Sequence, residues 1–359
     1  MIIGGGRHLR PVPLASRPTV SVLVPCYNYG HFLPDAVGSV LDQHGVDVDV
    51  LIIDDASADG SAEIAVRLAE QDSRVKVICH QKNQGHIATY NEGLFALQGD
   101  YSVLLDADDM LTPGSLARST ALMEHNQSVG MVYGFPLSFA GEPPMPVTKV
   151  RNWTVWQGDE WIQRVCRRGT FCVMTPEVVM RTSLQRDIGG YDPELPVTGD
   201  NEMWLRAAGS AEIGRVNGAS QAWYRVHDEN MHLTTYSGLM VDITERHKAF
   251  ASSLMGPKCA LDNGEMLYRT ACRAMAIEAL AHADRFIHDS GDVDQAEQFV
   301  SFARAIYPDA SGLRQWNRVS KSLAATAANR RPRRIASLRA GWSEVTNRVR
   351  WRRWRWSGV

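Results

Sequence analysis

The sequence predicts an α/β fold built on a Rossmann-like, mostly parallel sheet with helices on both faces. Three observations support this prediction. Strand-like and helix-like segments alternate four times between residues 19 and 126. Each strand-like segment is a continuous apolar run, which is typical of parallel strands that are buried on both faces. Each run also ends in polar residues, at the edge of the sheet where ligands of such folds bind.

The strands are predicted from short β-branched runs that stop at turn-forming residues. The helices are predicted from start signals such as Pro34 and the turns Asp59-Gly60-Ser61 and Asn83-Gln84-Gly85. The predicted strands are 20–24, 48–53, 75–79, 101–105 and 129–133, and the predicted helices are 34–43, 61–71, 87–97 and 114–126.

Composition indicates an ordinary globular protein. The chain has 359 residues, of which 44% are hydrophobic and 22% charged, enough to bury the core of one large domain or two modest ones. No run approaches the roughly 18 apolar residues that span a bilayer, and the N-terminus lacks a signal-peptide pattern. The six cysteines are scattered without a CxxC pair, which indicates reduced thiols and argues against a thiolate metal site. We therefore expect a cytoplasmic protein.

Polar side chains follow each of the first four predicted strands. Asn28 follows the first strand, Asp54 and Asp55 the second, Asn83 the third, and an acidic group the fourth. Because these strand ends share one edge of a parallel sheet, they predict a nucleotide-type ligand there. The sequence has neither a GxGxxG nor a GxxxxGK[ST] motif, which argues against a dinucleotide fold and a P-loop enzyme. A metal ion would then have to neutralise the phosphate charge.

The acidic group lies in the segment YSVLLDADDMLTP, residues 101–113, and consists of Asp106, Asp108 and Asp109. Three carboxylates at the end of a buried strand repel one another unless a cation neutralises them. A hard divalent ion, Mn²⁺ or Mg²⁺, is therefore the expected cofactor. The alternative is an acidic turn ahead of a helix that begins near Pro113.

Four motifs, in this order, resemble the nucleotide-sugar half of family 2 glycosyltransferases, which have the GT-A fold. They are VSVLVPCYNYGHFLPDAVGSVLDQ, LIIDDASADGS, NQGHIATYNEGL and LLDADD, and the resemblance covers about residues 19–232. It implies a nucleotide-sugar donor, most simply a UDP-sugar.

The resemblance also implies roles for individual residues. The turn from Pro25 to Asn28 and the Asp55 carboxylate would surround the nucleobase, and the Asp106–Asp108 pair would contact the sugar and the metal. Asp109 is a neighbour whose role stays open. The implied donor-binding residues are Pro25, Tyr27, Asn28, Asp55, Asn91 and Asp106. Alternatively, Asp55 caps a helix or turn, the two asparagines hold loop backbone, and Tyr27 is merely half-buried.

A second acid-rich element, GGYDPELPVTGDNEMWLRAA (residues 189–208), runs into a predicted amphipathic helix. In the family a similar element supplies the catalytic base, and Asp200 is the matching position. Gly199 stands where a glutamate often precedes that aspartate, so Glu202 is the fallback base. Asp192 is either an acceptor-site residue or a turn former. Asp200 could instead serve only as an N-terminal helix acid.

His227 follows the strand-like segment WYRV. The family carries an RxH element near the metal and the diphosphate, which implies that His227 completes the metal shell begun by Asp106 and Asp108. The alternative is a structural or exposed histidine.

Less regular segments fill the rest of the first 235 residues. A proline-rich segment, 134–157, is interpreted as an irregular loop on the acceptor side. A helix at 159–168 and a strand at 171–174 are predicted after it.

The chain is expected to divide into a flexible leader (1–18), the glycosyltransferase domain (19–235), a helical extension (236–329) and a tail (330–359). The extension carries helical periodicity at 265–287 and 294–306. The tail has a net charge of +9 against −11 for the rest of the chain. Its tryptophans and arginines over 335–356 predict a basic amphipathic helix on an anionic membrane surface, which would make the protein peripheral on the inner face of the plasma membrane. A disordered tail or a nucleic-acid contact is the alternative, although we expect no nucleic-acid partner.

Together these features indicate an inverting transfer of sugar to an acceptor hydroxyl, on a glycan or a lipid-linked sugar of the cell surface. Two alternatives stay open. A metal-dependent nucleotidyltransferase would usually want a basic loop near the first strand, and residues 20–30 contain no Lys or Arg. A non-catalytic nucleotide-sugar-binding protein would have little reason to keep Asp106, Asp108 and Asp200 together.

Overall fold

The computed structural model describes residues 5–230, 238–257 and 261–327. They form two compact units, one of residues 5–161 and 173–230 and the other of residues 162–172, 238–257 and 261–327. None of the helices in these ranges is long and apolar enough to cross a bilayer. The tail at 330–359, with its predicted membrane helix, lies outside the described residues.

Twelve strands are found in the described residues of the first unit. In chain order they are β1 (Arg7–Leu9), β2 (Thr19–Cys26), β3 (Asp47–Asp54), β4 (Val75–Cys79), β5 (Tyr101–Leu104), β6 (Met110–Leu111), β7 (Val129–Tyr133), β8 (Pro136–Phe139), β9 (Asn152–Trp156), β10 (Val179–Arg181), β11 (Glu212–Asn217) and β12 (Ala222–Arg225). The helices from the start of the chain are α1 (Leu33–Leu41), α2 (Ser61–Gln71), α3 (His86–Ala96), α4 (Ser115–Glu124), α5 (Gly158–Arg168), α6 (Thr182–Ile188) and α7 (Gly199–Ser210).

Nine of these strands form one sheet in the order β1-β9-β11-β7-β10-β5-β2-β3-β4, and the other three form a small sheet in the order β6-β12-β8. The strands β5, β2, β3 and β4 are parallel to their neighbours in that run, as are β11 and β7. The strands β10, β9 and β1 pair in the antiparallel sense. The predicted α/β fold is confirmed, and the antiparallel strands of the nine-stranded sheet all lie on the side of β5 away from β2.

The parallel half is held together by the apolar runs that predicted it. Val22, Val24 and Ile52 are fully buried in the sheet. Helix α1 buries the face that carries Leu33, Ala36, Val37 and Val40, a helical spacing of three and four residues. Burying one such aliphatic side chain contributes about 1.5–3 kcal/mol.

Strand register aligns the carboxyl ends of the parallel strands. Cys26 at the end of β2 is paired with Asp54 at the end of β3, and Asp54 is paired with Cys79 at the end of β4. The polar residues that follow these strands therefore meet at one edge of the sheet, as the sequence predicted.

Three predictions from the sequence are wrong in part. The segment 134–157 is not one irregular loop, because it contains β8 and β9 and buries Trp153 and Trp156 in the core. Residues 171–174 do not form a strand, and the chain instead makes a short 3₁₀ turn, Thr175–Glu177, before β10. Within the segment predicted as a flexible leader, β1 pairs with β9. The strands β1, β8 and β9 depend on pairing with strands that are far away in the sequence.

The second unit is helical. Its long helices are α8 (Leu239–Met255), α9 (Gly264–Arg285), α10 (Val293–Ile306) and α11 (Arg314–Ala327). Helix α9 packs against the other three, with Met275 and Ala279 fully buried. The two helices predicted from periodicity correspond to α9 and α10, whereas α8 and α11 were not predicted.

Candidate active site

The aspartates after β5 lie at the sheet edge in a network of hydrogen bonds. The Tyr90 hydroxyl donates to Oδ1 of Asp106 over 3.1 Å. Oδ2 of Asp108 lies 3.0 Å from Nε2 of His227 and accepts a hydrogen bond of 3.2 Å from the Asn230 amide. The structure thus brings the Asp-x-Asp pair and His227 together, at the end of β5 and after β12.

Asp109 is a buried neighbour of this pair. Its Oδ1 accepts the backbone N–H of Arg225 over 2.8 Å, and its Oδ2 has no hydrogen-bond partner among the described residues. Burial raises the pKa of Asp109 well above the usual range, and the charges of Asp108 and Asp106 raise it further. A cation at this edge would relieve that electrostatic cost.

Arg225 is a cation fixed beside the acidic group. Its guanidinium lies 4.6 Å above the ring of Phe32 and 4.9 Å from the ring of Phe139, and its Nε donates to the backbone oxygen of Asp108 over 2.9 Å. It also forms an ion pair of 3.0 Å with Asp35. Stacking between aromatic rings holds the charge in place without burying it unpaired.

Asp108 and His227 fit a divalent cation. Adjacent ligands of an octahedral Mg²⁺ or Mn²⁺ ion, each at about 2.1 Å, lie about 3 Å apart. The Asp108 Oδ2 and His227 Nε2 atoms have that separation, 3.0 Å, which in this structure is also a hydrogen-bond distance between them. In the described ranges, no three His, Cys, Asp or Glu side chains form a ready-made metal-ligand set. An ion held by this pair would take its other ligands from phosphate oxygens or water.

Asp106 is the member of the acidic group whose pKa is shifted into the physiological range. Burial raises its pKa to about 7, with the charge of Asp108 adding to the rise, the Tyr90 hydrogen bond opposing it and the charge of Asp200 contributing the remainder. Asp200 is therefore close enough to Asp106 for their charges to interact.

Asp200 lies in the first turn of α7, as predicted. The backbone N–H of Asn201 donates to its Oδ1 over 2.7 Å. A helix N-terminus favours the carboxylate, but burial outweighs this effect and raises the pKa of Asp200 to about 6. The structure gives a second acid, held on a different element from Asp106 and Asp108, with the pKa of a proton acceptor that works near neutral pH.

Glu202, the fallback base, is already paired with an arginine. It is 1% exposed, and its two oxygens accept hydrogen bonds of 2.6 and 2.7 Å from the Arg206 guanidinium. Arg206 also donates to the backbone oxygens of Ile188 and Gly190. This buried pair ties α7 to the end of α6 and leaves Asp200 as the better candidate base.

We expect Glu202→Ala to lower the free energy of unfolding by about 3–5 kcal/mol, because it leaves the Arg206 charge buried and unpaired. Chemical denaturation measures this change. The control is Glu194→Ala, which removes an exposed carboxylate from the segment before α7 and should change stability by less than about 0.5 kcal/mol. A Glu202→Ala protein with unchanged stability and no activity would make Glu202 the base.

Two other predicted residues shape the segment before α7. The Asn91 amide donates to the Tyr191 backbone oxygen over 2.9 Å, and its Oδ1 accepts the Tyr191 N–H over 2.6 Å. Asp192 accepts the N–H of Glu194 over 3.0 Å, as a turn former does. Asn91 thus ties α3 to the segment that carries Asp200, which agrees with the alternative that this asparagine holds loop backbone.

The turn after β2 is partly used to hold its own loop. Asn28 adopts a left-handed conformation (φ 59°), and its Oδ1 accepts the N–H of Ala58 over 2.8 Å. The Asn28 N–H donates to the Ser57 hydroxyl over 2.9 Å. Pro25 lies within β2, and Tyr27 is 52% exposed. Of these residues, Tyr27 has the surface available for stacking on a ligand.

Asp55 lies at the end of β3, where it receives three donors. Its Oδ1 lies 2.7 Å from Nδ1 of His80 and accepts the Gln84 N–H over 2.8 Å, and its Oδ2 accepts the Gly85 N–H over 2.9 Å. Burial opposes ionisation, but these hydrogen bonds outweigh it and lower the pKa of Asp55. Asp55 is therefore a fixed carboxylate.

His80 was missed in the sequence, although it directly follows β4 as Asp55 follows β3. Its Nε2 lies 3.0 Å from the Glu92 carboxylate. Burial favours the neutral ring, yet the hydrogen bonds to Asp55 and Glu92 outweigh burial and raise the pKa of His80. Tyr90 and Asn230 were missed as well, since only the folded chain brings them to the aspartates, and Arg225 of the RxH element was given no role of its own.

Comparison with known proteins identifies the domain. The family model "Glycosyl transferase family 2" matches residues 21–185. Residues 21–185, a little less than half of the chain, therefore match glycosyltransferase family 2. The match contains the Asp55, Asn91 and Asp106–Asp109 positions, whereas Asp200 and His227 follow it.

Curated relatives are similar over part of their length. The uncharacterized glycosyltransferase EpsJ of Bacillus subtilis is 36% identical over 110 residues, which are 31% of this chain and 32% of EpsJ. The GalNAc(5)-diNAcBac-PP-undecaprenol beta-1,3-glucosyltransferase of Campylobacter jejuni is 32% identical over 118 residues, 33% of this chain and 38% of that enzyme. The chain thus spans about a third of the length of these two relatives.

Solved structures share the fold. Residues 1–349 of Staphylococcus aureus TarS, in complex with UDP, match with a TM-score of 0.53 at 17% identity, over 86% of this chain and 92% of that one. The mannosyltransferase PcManGT of Pyrobaculum calidifontis, in complex with GDP-Man and Mn²⁺, matches with a TM-score of 0.51 at 18% identity, over 90% and 89% of the two chains.

Proposed function

We propose that this protein is an inverting glycosyltransferase that moves a sugar from a nucleotide-sugar to an acceptor hydroxyl. One observation carries the proposal. A family 2 domain presents, at one sheet edge, the Asp108–His227 pair beside Asp106, together with a separate acid, Asp200, whose pKa is about 6. The reaction needs one set of groups that stabilises the charge of the donor diphosphate and another group that accepts the proton of the acceptor hydroxyl.

In this proposal the donor lies along the ends of β2, β3 and β5. Asp108 and His227 would hold a divalent cation, Mn²⁺ or Mg²⁺, and Asp106, which accepts a hydrogen bond from Tyr90, would lie toward the ribose or sugar. When bound, the cation offsets the negative charge that develops on the departing nucleoside diphosphate. Arg225 adds a fixed positive charge on the same side.

Asp200 acts as the general base. As a carboxylate it accepts the proton of the acceptor hydroxyl while that oxygen attacks the anomeric carbon, and the bond to the diphosphate breaks on the opposite face. A single displacement of this kind inverts the anomeric configuration. Asn91 positions the base by tying the backbone of Tyr191 to α3.

We expect the activity to fall at acid pH. Asp200 accepts a proton only when ionised, and because burial raises its pKa to about 6, kcat/KM should drop as the pH falls through that value. A limiting slope of about tenfold per pH unit below the pKa is expected for one essential carboxylate. Initial rates across this range, with donor binding measured at the same pH values, give the profile. A kcat/KM that does not change through pH 6 would contradict the role of Asp200.

We propose that the acceptor is a glycan or lipid-linked sugar of the cell surface. The Campylobacter relative, a GalNAc(5)-diNAcBac-PP-undecaprenol beta-1,3-glucosyltransferase, supports a lipid-linked acceptor. The basic, tryptophan-rich segment 335–356 would then hold the enzyme at an anionic membrane surface on the cytoplasmic side.

Product analysis tests the reaction class. With a nucleotide-sugar and a membrane extract that contains acceptors, the proposal predicts release of a nucleoside diphosphate and a product of inverted anomeric configuration. Release of pyrophosphate would instead identify a nucleotidyltransferase. Donor binding without any release of nucleoside diphosphate would identify a binding protein.

A further inference from the structure

The Asp55 carboxylate has little hydrogen-bonding capacity left. A carboxylate can accept about four hydrogen bonds, two on each oxygen. His80 and the Gln84 N–H occupy Oδ1, and the Gly85 N–H takes one position on Oδ2. The Asp55 side chain is 4% exposed, so few donors can reach what is left. Among the described residues, no donor takes the second acceptor position on Oδ2, and that position is available to a ligand.

His80 is what closes Oδ1 to a ligand. Its side chain is 5% exposed, and both ring nitrogens face carboxylates, Asp55 over 2.7 Å and Glu92 over 3.0 Å. An imidazole flanked in this way donates through both nitrogens when protonated and cannot rotate without losing a bond. Glu92 therefore keeps the ring oriented, and the ring keeps one oxygen of Asp55 occupied.

Nucleobases differ in what they offer to a single acceptor position. Uracil and thymine present one N–H between two carbonyl oxygens. Guanine presents two adjacent donors, N1–H and the N2 amino group, which pair side by side with both oxygens of a carboxylate. With Oδ1 occupied, Asp55 can match the first pattern but leaves one guanine donor without a partner, which is costly in a buried site.

We propose that His80, oriented by Glu92, makes Asp55 a single acceptor and so selects a uracil or thymine nucleotide over a guanine nucleotide. This inference rests on the proposed function, in which the donor lies along the end of β3, and on the expectation from the resemblance that Asp55 faces the nucleobase. His80 is a positioning residue, since it acts on the ligand through Asp55.

Calorimetric titration of the wild-type protein with UDP, 3-methyl-UDP and GDP in the presence of Mn²⁺ tests the selectivity. The three ligands share the diphosphate, so differences in affinity report the base. UDP should bind at least about tenfold more tightly than either of the others. The ligand 3-methyl-UDP lacks the N3–H donor, and GDP brings a second donor that would be buried without an acceptor.

GDP or 3-methyl-UDP binding as tightly as UDP overturns the inference and leaves the proposed function intact. Failure of all three ligands to bind overturns the proposed function and the selectivity with it. These titrations use the native chain and do not depend on the folding of any variant.

Two substitutions test His80 itself. His80→Ala removes the donor to Oδ1, so the ratio of UDP to GDP affinity should fall about tenfold, the change expected when GDP gains one hydrogen bond to a charged acceptor. His80→Asn is the matched control, since its amide can replace the Nδ1 donor, and the ratio should stay near that of the wild type. An unchanged ratio in a folded His80→Ala protein overturns the role of His80.

Discussion

Replacing Asp200 with asparagine is expected to reduce kcat by about 10²–10⁴-fold, the usual contribution of a general base. The asparagine keeps the size of the side chain and an oxygen that can accept the Asn201 N–H. It lacks only the ability to take a proton. Because Asp200 has no part in the proposed metal pair, the dissociation constant of the donor should change by less than about twofold. Steady-state kinetics and calorimetry on one preparation measure the two quantities.

The control for Asp200→Asn is Glu194→Gln, which removes a carboxylate from the exposed part of the same segment. It should leave kcat within about twofold of the wild type. If Asp200→Asn lost metal-dependent donor binding, Asp200 would belong to the metal site, and another group would have to take the acceptor proton.

Asp108→Ala is expected to weaken donor binding and turnover together. The substitution removes one of the two proposed metal ligands and leaves His227 and Asn230 without their shared acceptor. We expect at least about a 10–100-fold loss of metal-dependent donor affinity, which is the range found even for residues that support metal ligands. Calorimetry with Mn²⁺ and then with chelator measures the loss.

Asp108→Asn separates charge from structure in that experiment. It keeps an oxygen that can accept from Asn230 but removes the negative charge. A loss of affinity in Asp108→Asn as well as in Asp108→Ala, with unchanged thermal unfolding, assigns the effect to the ion and not to the fold. Wild-type donor binding and turnover in Asp108→Ala would rule out Asp108 as a metal ligand.

The parallel half of the fold could be predicted closely. The strands predicted at 75–79 and 129–133 are β4 and β7, because a buried strand is encoded locally by its own apolar run. The strands β8, β9 and β10 could not be predicted in the same way. They are short and lie in a proline-rich or irregular context. They are strands because of distant partners, which are β12 for β8, β11 for β9, and β5 and β7 for β10.

The residues of the candidate site show the same difference between features that are encoded locally and contacts that depend on the fold. Asp106 and Asp108 were predicted because they follow a strand that the sequence marks clearly, whereas Asp200 was assigned from the family resemblance. The hydrogen bonds that orient the side chains of the site were not predicted. His80 reaches Asp55 only through the register of β3 and β4, and Tyr90 reaches Asp106 only through the packing of α3. Asn91, predicted near the diphosphate, is bonded to the backbone of Tyr191.

The most direct test of donor-dependent glycosyl transfer is calorimetric binding of UDP-, GDP- and dTDP-sugars, first with Mn²⁺ and then with a chelator. We predict that one pyrimidine nucleotide-sugar binds with Mn²⁺ and that the chelator weakens its binding at least about tenfold. Absence of binding by every member of the panel, in a folded protein with Mn²⁺ present, would contradict the proposed donor site and remove the main support for Asp200 as the base.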